Sequence, residues 1–530
     1  MAKWNPFLTE EDSDFYNSVF EFSKDKIFPS AEHRDEKEIW DPEIWKQIAK
    51  AGLTGLPIPS QYGGQDATCF QCCLATEAFA SGSIDGGLGL SWSAHMIIGS
   101  MPIVLQGNES QKEKYLPKLA SGEWIAGLAL TEASSGSDAA SLLTRAEEVD
   151  DGYILNGSKM YITNGPVGQL FIVMARTGTK SRGPMGISAF LVESTYPGFK
   201  VSKVLRKLGH HTSMTAELVF EDMFVPKENL LGPLGSGFLR IGKATLEWER
   251  TVLIAGVVGA MEYALEACLH YTNQREQFGK PIAKFYAIQE KIVKLWLYMN
   301  SARLLIYRAA KEKDKGASLP LLSSVCKLYA SEVSEIAAND TIQIFGGYGF
   351  MREYQVERFY RDIKLATIGG GTSEIQRSII FSAFSSEKDP TYLFSNLNEV
   401  AKNESLIDEM NLDINYFSYL LDALNELQFK SKSLKHNSLE FALTDILTFA
   451  LVLDTYLACL GNKDTEWYSS EQKILDIQSL IPILYAKYLH SFQNLQSYSS
   501  KLAEFNQLSM QCKLDYHAVE RSFNFLESRI

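Results

Sequence analysis

The chain has 530 residues, far too many for one small core, so two to four domains are expected. Its apolar fraction of 45% and charged fraction of 22% are those of a soluble globular protein. A net charge of −13 argues against general nucleic-acid binding, which needs a basic face against phosphates, but leaves room for a local basic patch.

The first residues, MAKWNPFLTEEDSDF, are acidic and lack an apolar run, so no export or organelle signal is expected. Thr9 with Asp12 reads as a capping box. From Glu10 to about Glu123 apolar residues recur at helical spacing, as in DPEIWKQIAKAGL. From Ala126 to about Gly235 the texture changes to short β-type runs: GYILNGSKMYIT, GQLFIVMART, GISAFLVES and TAELVFEDMFV, with Asn156-Gly157 as a hairpin signal. Long helical patterns return from Phe238 to about Phe384. Helices, then strands, then helices indicate segregated layers, mainly α with a β domain, and not the alternating order of a dinucleotide-binding sheet.

After SSEKDP, Ser385 to Pro390, the rest of the chain is again helical by period. The expected divisions are therefore 1–125, 126–235, 236–385 and 386–530. The longest apolar run, ILTFALVL, lies between Asp445 and Asp454 and is too short to span a bilayer, so no transmembrane segment is expected. Seven scattered cysteines (Cys69, Cys72, Cys73, Cys268, Cys326, Cys459 and Cys512) lack the second close pair of a zinc site. Cys69 with Cys72 and Cys73 reads as a metal half-site or, better, as buried helix thiols, and reduced thiols with no metal imply a cytoplasmic location.

Four stretches rich in Gly or Thr remain. LALTEASSGSDAAS, Leu128 to Ser141, lets backbone amides approach a phosphate or an electron-rich ring, or is an Asx/Ser turn leading to a strand. MYITNG puts Tyr161 and Thr163 on one strand face, or belongs to an ordinary hairpin. QIFGGYGF and IGGGTSEIQ each follow a helix and read singly as a C-cap and loop. None is a Walker loop or a GxGxxG.

Taken in order, GNESQKEKYLPKLASGEWIAGLALTEASSGSD, GSKMYITNG, LVFEDMFVPKENLLG, REQFGKPI, QIFGGYGF and ATIGGGTSEIQ resemble the acyl-CoA dehydrogenase family over about residues 8 to 385. The resemblance implies an N-terminal helical domain, a middle β-barrel-like domain and a C-terminal four-helix bundle, with residues 386–530 as an added helical domain. It implies FAD at a subunit interface, a place in fatty acid metabolism and β-oxidation, and an electron-transfer flavoprotein as partner. Flavin-ring contacts fall on Leu128, Leu130, Thr131, Ser137, Tyr161 and Thr163. Arg275 and Phe278 would reach the diphosphate of a neighbouring subunit, and an arginine suits a diphosphate through charge-assisted hydrogen bonds. Gln343, Gly346 and Gly347 would cover the diphosphate and adenosine, with Thr372 and Glu374 nearby. Tyr286 departs from the family pattern, where Gln is frequent.

Many relatives carry the catalytic Glu directly before the Gly-Thr of the last motif, and that position is Gly370. An isovaleryl- and long-chain-like subset places it on a different helix before an Arg, and here Glu249 precedes Arg250 in ATLEWERTVLIAG. On a regular helix Glu249 shares a largely apolar stripe with Thr245, Leu246, Val252 and Leu253, and with Gly242 and Gly256 one turn on. Such burial raises a carboxylate toward the neutral range that a base needs. The bland alternative is a helix carboxylate paired with a distant arginine. Ser137, Glu247, Arg250, Gly370 and Gly371 are the expected substrate contacts, although the helix pattern also gives Glu247 an ordinary salt-bridging environment beside Lys243, Arg250 and Thr251.

The implied reaction is α,β-desaturation of an acyl-CoA. Gly370 keeps the backbone N–H that stabilises the thioester oxygen, Glu249 takes the α-proton, and a β-hydride leaves for the flavin. Three other readings stay open. The acyl group can ride on an acyl carrier protein, drawn by Arg176, Lys180 and Arg182 or by Lys203, Arg206, Lys207, His210 and His211. Dioxygen can reoxidise the flavin, as in an acyl-CoA oxidase. A non-catalytic scaffold on the same fold is the third. By position only, the final segment resembles the extension of very-long-chain dehydrogenases, which suggests a homodimer and leaves a homotetramer open.

Overall fold

Capping residues open the N-terminal helices at defined points. Thr9 Oγ1 accepts from the Asp12 N–H at 3.2 Å and its hydroxyl donates to the Asp12 carboxylate at 2.7 Å, starting the helix Glu10–Phe22. The helix Cys69–Ser83 begins with a reciprocal box between Thr68 and Gln71 and is buried on almost every side. In the computed structural model residues 5–431, 437–461, 468–512 and 514–529 are described.

Eight strands follow: β1 (Ala126–Ala129), β2 (Arg145–Val149), β3 (Gly152–Thr163), β4 (Leu170–Arg176), β5 (Ile187–Glu193), β6 (Phe199–Val204), β7 (Thr215–Pro226) and β8 (Leu230–Leu231). Seven form one path, β6-β7-β3-β2-β4-β5-β8, and β1 pairs parallel to β4. The turn of the β2–β3 hairpin is Asp150-Asp151, not the expected Asn156-Gly157. Gly157 instead sits at a register shift inside β3, at φ 149°, where a Cβ would lie 2.6 Å from Thr144 Oγ1. Asn156 fastens this bulge to β7 by accepting from the Asp222 N–H at 2.8 Å.

The bundle beyond the strands is built on one long helical rod, Gly237–Gln274, packed along the 69–83 helix. Contact is close: a Cβ on Gly259 would lie 2.1 Å from the Glu77 carbonyl oxygen. Tyr286–Asp314, Pro320–Phe345 and Ser373–Ser386 complete the four helices. At their centre Arg303, fully buried, donates from Nε to Glu77 at 2.9 Å and also pairs with Glu262. Tyr307 and Tyr16 hydroxyls donate to Glu77 and Glu262, each at 3.0 Å.

The C-terminal segment adds the helices Tyr416–Ser431, Asn437–Leu457, Ser470–Leu495, Ser500–Ser509 and Tyr516–Glu527. They lie against the bundle and share its apolar core. The two aspartates that bracket the greasy run are fixed by bundle side chains: Arg377 donates to Asp445 at 2.9 Å, and Arg308 donates to Asp454 at 2.9 Å. A third, Asp476, accepts from Trp296 Nε1 at 3.0 Å. By length and apolarity Gly86–Gln106, Gly237–Gln274 and Ser438–Leu460 are each able to cross a membrane, contrary to the expectation from the eight-residue run. Their most apolar stretches are 72%, 67% and 83% buried within the protein, so the folded chain itself covers them. All seven cysteines are unpaired, six of them buried, as expected for helix thiols. No group of three metal-ligating side chains occurs among the described residues.

Candidate active site

A cavity of about 190 Å3 opens between the 69–83 helix, the next helix Gly86–Ser93, the rod, and the loop after the helix Val356–Ile363. Its walls are mostly apolar, including Phe79, Leu90, Trp92, Val257 and Phe359. Glu249, Arg250 and Gly370 meet at this cavity.

Glu249 reaches it because the rod is not regular there. Residues Glu249–Leu253 form a π-turn, with a second one at Gly237–Gly242. A π-turn widens the helix by one residue and rotates the next turns of the helix out of phase, a feature that recurs at functional sites. Consequently Leu253, Ile254, Gly256 and Val257 share the cavity wall with Glu249, whereas Thr245, Leu246 and Val252 of the expected stripe do not. Burial pushes the Glu249 carboxyl up, while the Arg250 and Lys327 charges pull it down. No cation lies within 4 Å of that carboxylate among the described residues.

The glycine loop ends against the same group. Gly370 has φ 64° and Gly371 φ 93°, both in the region that glycine tolerates. A Cβ built on Gly370 would stand 3.1 Å from Glu249 Oε1 and 3.4 Å from its carboxyl carbon. The side chain missing from the loop and the carboxylate arriving from the rod thus converge on one point. Arg250 Nε donates to the Gly370 carbonyl at 3.3 Å, and Gln376 Nε2 donates to both glycine carbonyls at 2.9 Å. The Gly370 N–H meets no acceptor among the described residues and remains able to donate to a ligand.

Of the expected substrate contacts Arg250 and Gly370 line the cavity, whereas Ser137, Glu247 and Gly371 do not. The Glu247 carboxylate is taken up by Lys313 at 2.6 Å, Ser318 Oγ at 3.1 Å and the Leu319 N–H at 3.2 Å, so it holds two helix ends together.

The expected flavin contacts form two groups. Leu128, Leu130, Thr131, Tyr161 and Thr163 gather where β1 meets β3: the Met160 N–H donates to the Thr131 carbonyl at 2.8 Å, and Gly127 closes on the Thr163 carbonyl oxygen. Behind them buried Lys159 donates to the Leu130 carbonyl at 2.9 Å and to Glu132 at 2.8 Å, which fixes the loop carrying exposed Ser137. Tyr161 is 66% exposed at φ 63°, a strained backbone for a non-glycine residue. In the second group exposed Arg275 packs over the Tyr348 ring at 5.6 Å, beside Gln343, Gly346 and Gly347. A Cβ on Gly346 or Gly347 would meet nothing within 4 Å. Phe278 is 93% exposed. Thr372 caps the 373–386 helix by accepting from the Ile375 N–H, with Glu374 exposed beside it. Exposed rings, an open glycine cradle and a helix N-terminus fit a flavin dinucleotide.

Among the described residues several members of the basic runs are engaged internally. Arg176 is buried and donates to the carbonyls of Leu142, Gly183 and Ala140 at 3.2, 3.2 and 2.7 Å. The side chains of Lys180 and Arg182 lie outside the described residues. His211 is wedged between the Asp35 and Lys207 carbonyls, and the Lys207 ammonium donates to the Ser213 carbonyl at 2.7 Å. His210 turns inward to the cavity, its N–H donating to Asp362 at 2.5 Å. Only Lys203 and Arg206 of that run stay exposed.

Sequence reasoning missed Lys327 and Gln376, which hold the glycine loop from behind. A lysine amid the apolar run SSVCKLYAS was the available signal.

Comparison with known proteins finds three family domains in order along the chain. The N-terminal, middle and C-terminal domain profiles of acyl-CoA dehydrogenase match residues 9–123, 127–223 and 235–384. An acyl-CoA dehydrogenase of Bacillus subtilis (strain 168) is 42% identical over 373 residues, 70% of this chain and 97% of that protein. A mitochondrial isovaleryl-CoA dehydrogenase of Solanum tuberosum is 41% identical over 69% of this chain and 88% of its own length. The solved acyl-CoA dehydrogenase of Bacillus anthracis complexed with FAD is 29% identical, superposes with a TM-score of 0.85, and covers 99% of this chain and 96% of its own. That match includes the C-terminal helices.

Proposed function

The chain belongs to the acyl-CoA dehydrogenase family of FAD-dependent oxidoreductases, and from that premise we propose that it desaturates an acyl-CoA to the trans-2-enoyl-CoA with Glu249 as the base. The observation that carries this reading is the 3.1 Å separation between Glu249 Oε1 and the position a Gly370 Cβ would take. A carboxylate there serves the reacting carbon from the rod as a loop carboxylate would from below.

The residues divide the work. The Gly370 N–H donates to the thioester oxygen, where negative charge develops as the α-proton leaves. Glu249 accepts that proton. Its burial makes it a stronger base than a solvated carboxylate, and the mostly apolar walls keep water from competing. Arg250 and Gln376 hold the loop carbonyls, so the Gly370 amide needs no rearrangement. FAD would be held by Leu128, Leu130, Thr131, Ser137, Tyr161 and Thr163 at its ring and by Gln343, Gly346, Gly347, Thr372 and Glu374 along its diphosphate and adenosine, with Arg275 and Phe278 reaching the diphosphate of the neighbouring subunit, and it would supply the acceptor for the β-hydride.

On this reading the enzyme works in fatty acid β-oxidation in the cytoplasm, passes electrons to an electron-transfer flavoprotein, and is a homodimer in which Arg275 and Phe278 serve the neighbouring subunit. Unpaired cysteines support the compartment, and the exposure of Phe278 supports the dimer. The acyl carrier alternative loses support because Arg176, Lys207 and His211 are engaged internally.

The test is anaerobic mixing of the FAD-loaded protein with a panel of acyl-CoAs and carrier-protein thioesters, monitored by flavin bleaching. The acyl-CoAs are expected to bleach the flavin, and Glu249→Gln to slow it by about 10²–10⁴-fold. Bleaching at undiminished speed in Glu249→Gln overturns the assignment of the base.

A further inference from the structure

Two cations act on the Glu249 carboxylate and neither is paired with it. Arg250 is directed to the Gly370 carbonyl; Lys327 Nζ donates to the Gly371 carbonyl at 2.7 Å. Lys327 is 4% exposed and rises from the middle of the 320–345 helix, where Val325, Cys326, Leu328 and Tyr329 are fully buried. An ammonium there has given up its hydration for a single carbonyl and the field of nearby carboxylates. It lines the same cavity as Glu249 and Gly370. The loop it touches consists of three glycines with no side chain to anchor it, so its geometry has to be imposed from outside.

We propose that Lys327 is a positioning residue for the dehydrogenation, clamping the Gly370–Gly371 loop by its carbonyl and supplying the positive charge that keeps Glu249 anionic and ready to accept a proton. This inference rests on Glu249 being the base. The charged groups facing Glu249 are Arg250 on its own helix and Lys327 across the loop; those facing Lys327 are Glu249, Arg250, Glu332 and Glu374. Asp85, His210 and Asp362 lie on the remaining walls of the cavity. Burial lowers the Lys327 ammonium to about 8, with Glu249 offsetting part of that loss. Protonated below that pH, it carries the charge that holds the loop carbonyl and keeps Glu249 ionised; deprotonated above it, that charge is lost.

The experiment is the pH profile of anaerobic flavin reduction, with the infrared carboxyl bands of the FAD-loaded, substrate-free protein as a second readout. The wild type is expected to lose rate on the alkaline side near pH 8. Lys327→Met is expected to move the acid limb upward by about one pH unit, a roughly tenfold loss on the acid side of the limb, and to show a protonated carboxyl band that vanishes in Lys327→Met/Glu249→Gln. Lys327→Arg keeps the charge without titrating, so it is expected to restore the acid limb and abolish the alkaline one. A folded Lys327→Met with the wild-type acid limb and no new band overturns the proposal. So does an alkaline limb that persists in Lys327→Arg. If Glu249→Gln reduces its flavin normally, the base assignment itself has failed; if it is inactive while Lys327→Met behaves as wild type, only the role of Lys327 has.

Discussion

Two places in one helical bundle bury carboxylates beside an arginine and use them in opposite ways. At the centre, Arg303 divides itself between Glu77 and Glu262, and tyrosines cap the remaining oxygens. At the cavity, Arg250 and Lys327 turn to backbone carbonyls and leave Glu249 without a direct partner. The first arrangement gives every carboxylate oxygen a donor and immobilises the bundle. The second uses its cations to shape a loop and leaves a carboxylate available. Pairing separates a structural carboxylate from a reactive one more clearly than burial does, since burial raises both: Glu77 is pushed up to about 7 despite Arg303, with Glu262 adding to the rise.

The largest test of this contrast is Arg303→Met, which strands two buried carboxylates. A loss of about 3–5 kcal/mol in urea unfolding is expected, and a loss below about 1 kcal/mol would mean that the central network holds nothing together. Asp476 adds a third kind of site, a buried carboxylate held by neutral donors: Trp296 Nε1 at 3.0 Å, Gln472 Nε2 at 2.6 Å and the Tyr468 hydroxyl at 3.1 Å. Burial raises it to about 6. The folded protein therefore binds a proton that the unfolded chain releases near pH 4. That stabilisation is full below about pH 4 and fades as pH rises through about 6, a change of about 3 kcal/mol. Asp476→Asn is expected to flatten the urea midpoint across that window.

A smaller effect is expected from Gly370→Ala. A left-handed φ costs an alanine about 1–2 kcal/mol, and its methyl crowds Glu249 Oε1, so flavin reduction should fall about tenfold. Smallest of all is the stability change in Glu249→Gln: with no ion pair to break, urea unfolding should shift by less than about 1 kcal/mol.

The three-layer order of the family domains was legible because periodicity changes from helical to strand-like at Ala126 and back after Gly235. Glu249 was legible through the vacancy at Gly370. Other features depend on geometry that periodicity does not carry. Asn156-Gly157 has turn chemistry, but Thr144 needed a glycine to pass over it, so the pair became a bulge. Glu247 resembled a substrate contact until the fold brought Lys313 and Ser318 to it from residues far along the chain. Arg176 has the charge of a docking residue, yet three carbonyls enclose it.

The widened turn at Glu249–Leu253 makes the rod a keyed shaft. Each residue of a helix advances it by about 100°, so deleting one position between 249 and 253 would straighten the shaft and swing everything on one side of the cut through roughly a quarter turn. Glu249 itself would be unchanged, but the carboxylate would no longer face the cavity wall that Gly256 and Val257 form. Spacing along this helix is therefore as much a part of the active site as the acid itself, and a length change there is expected to do more harm than most substitutions.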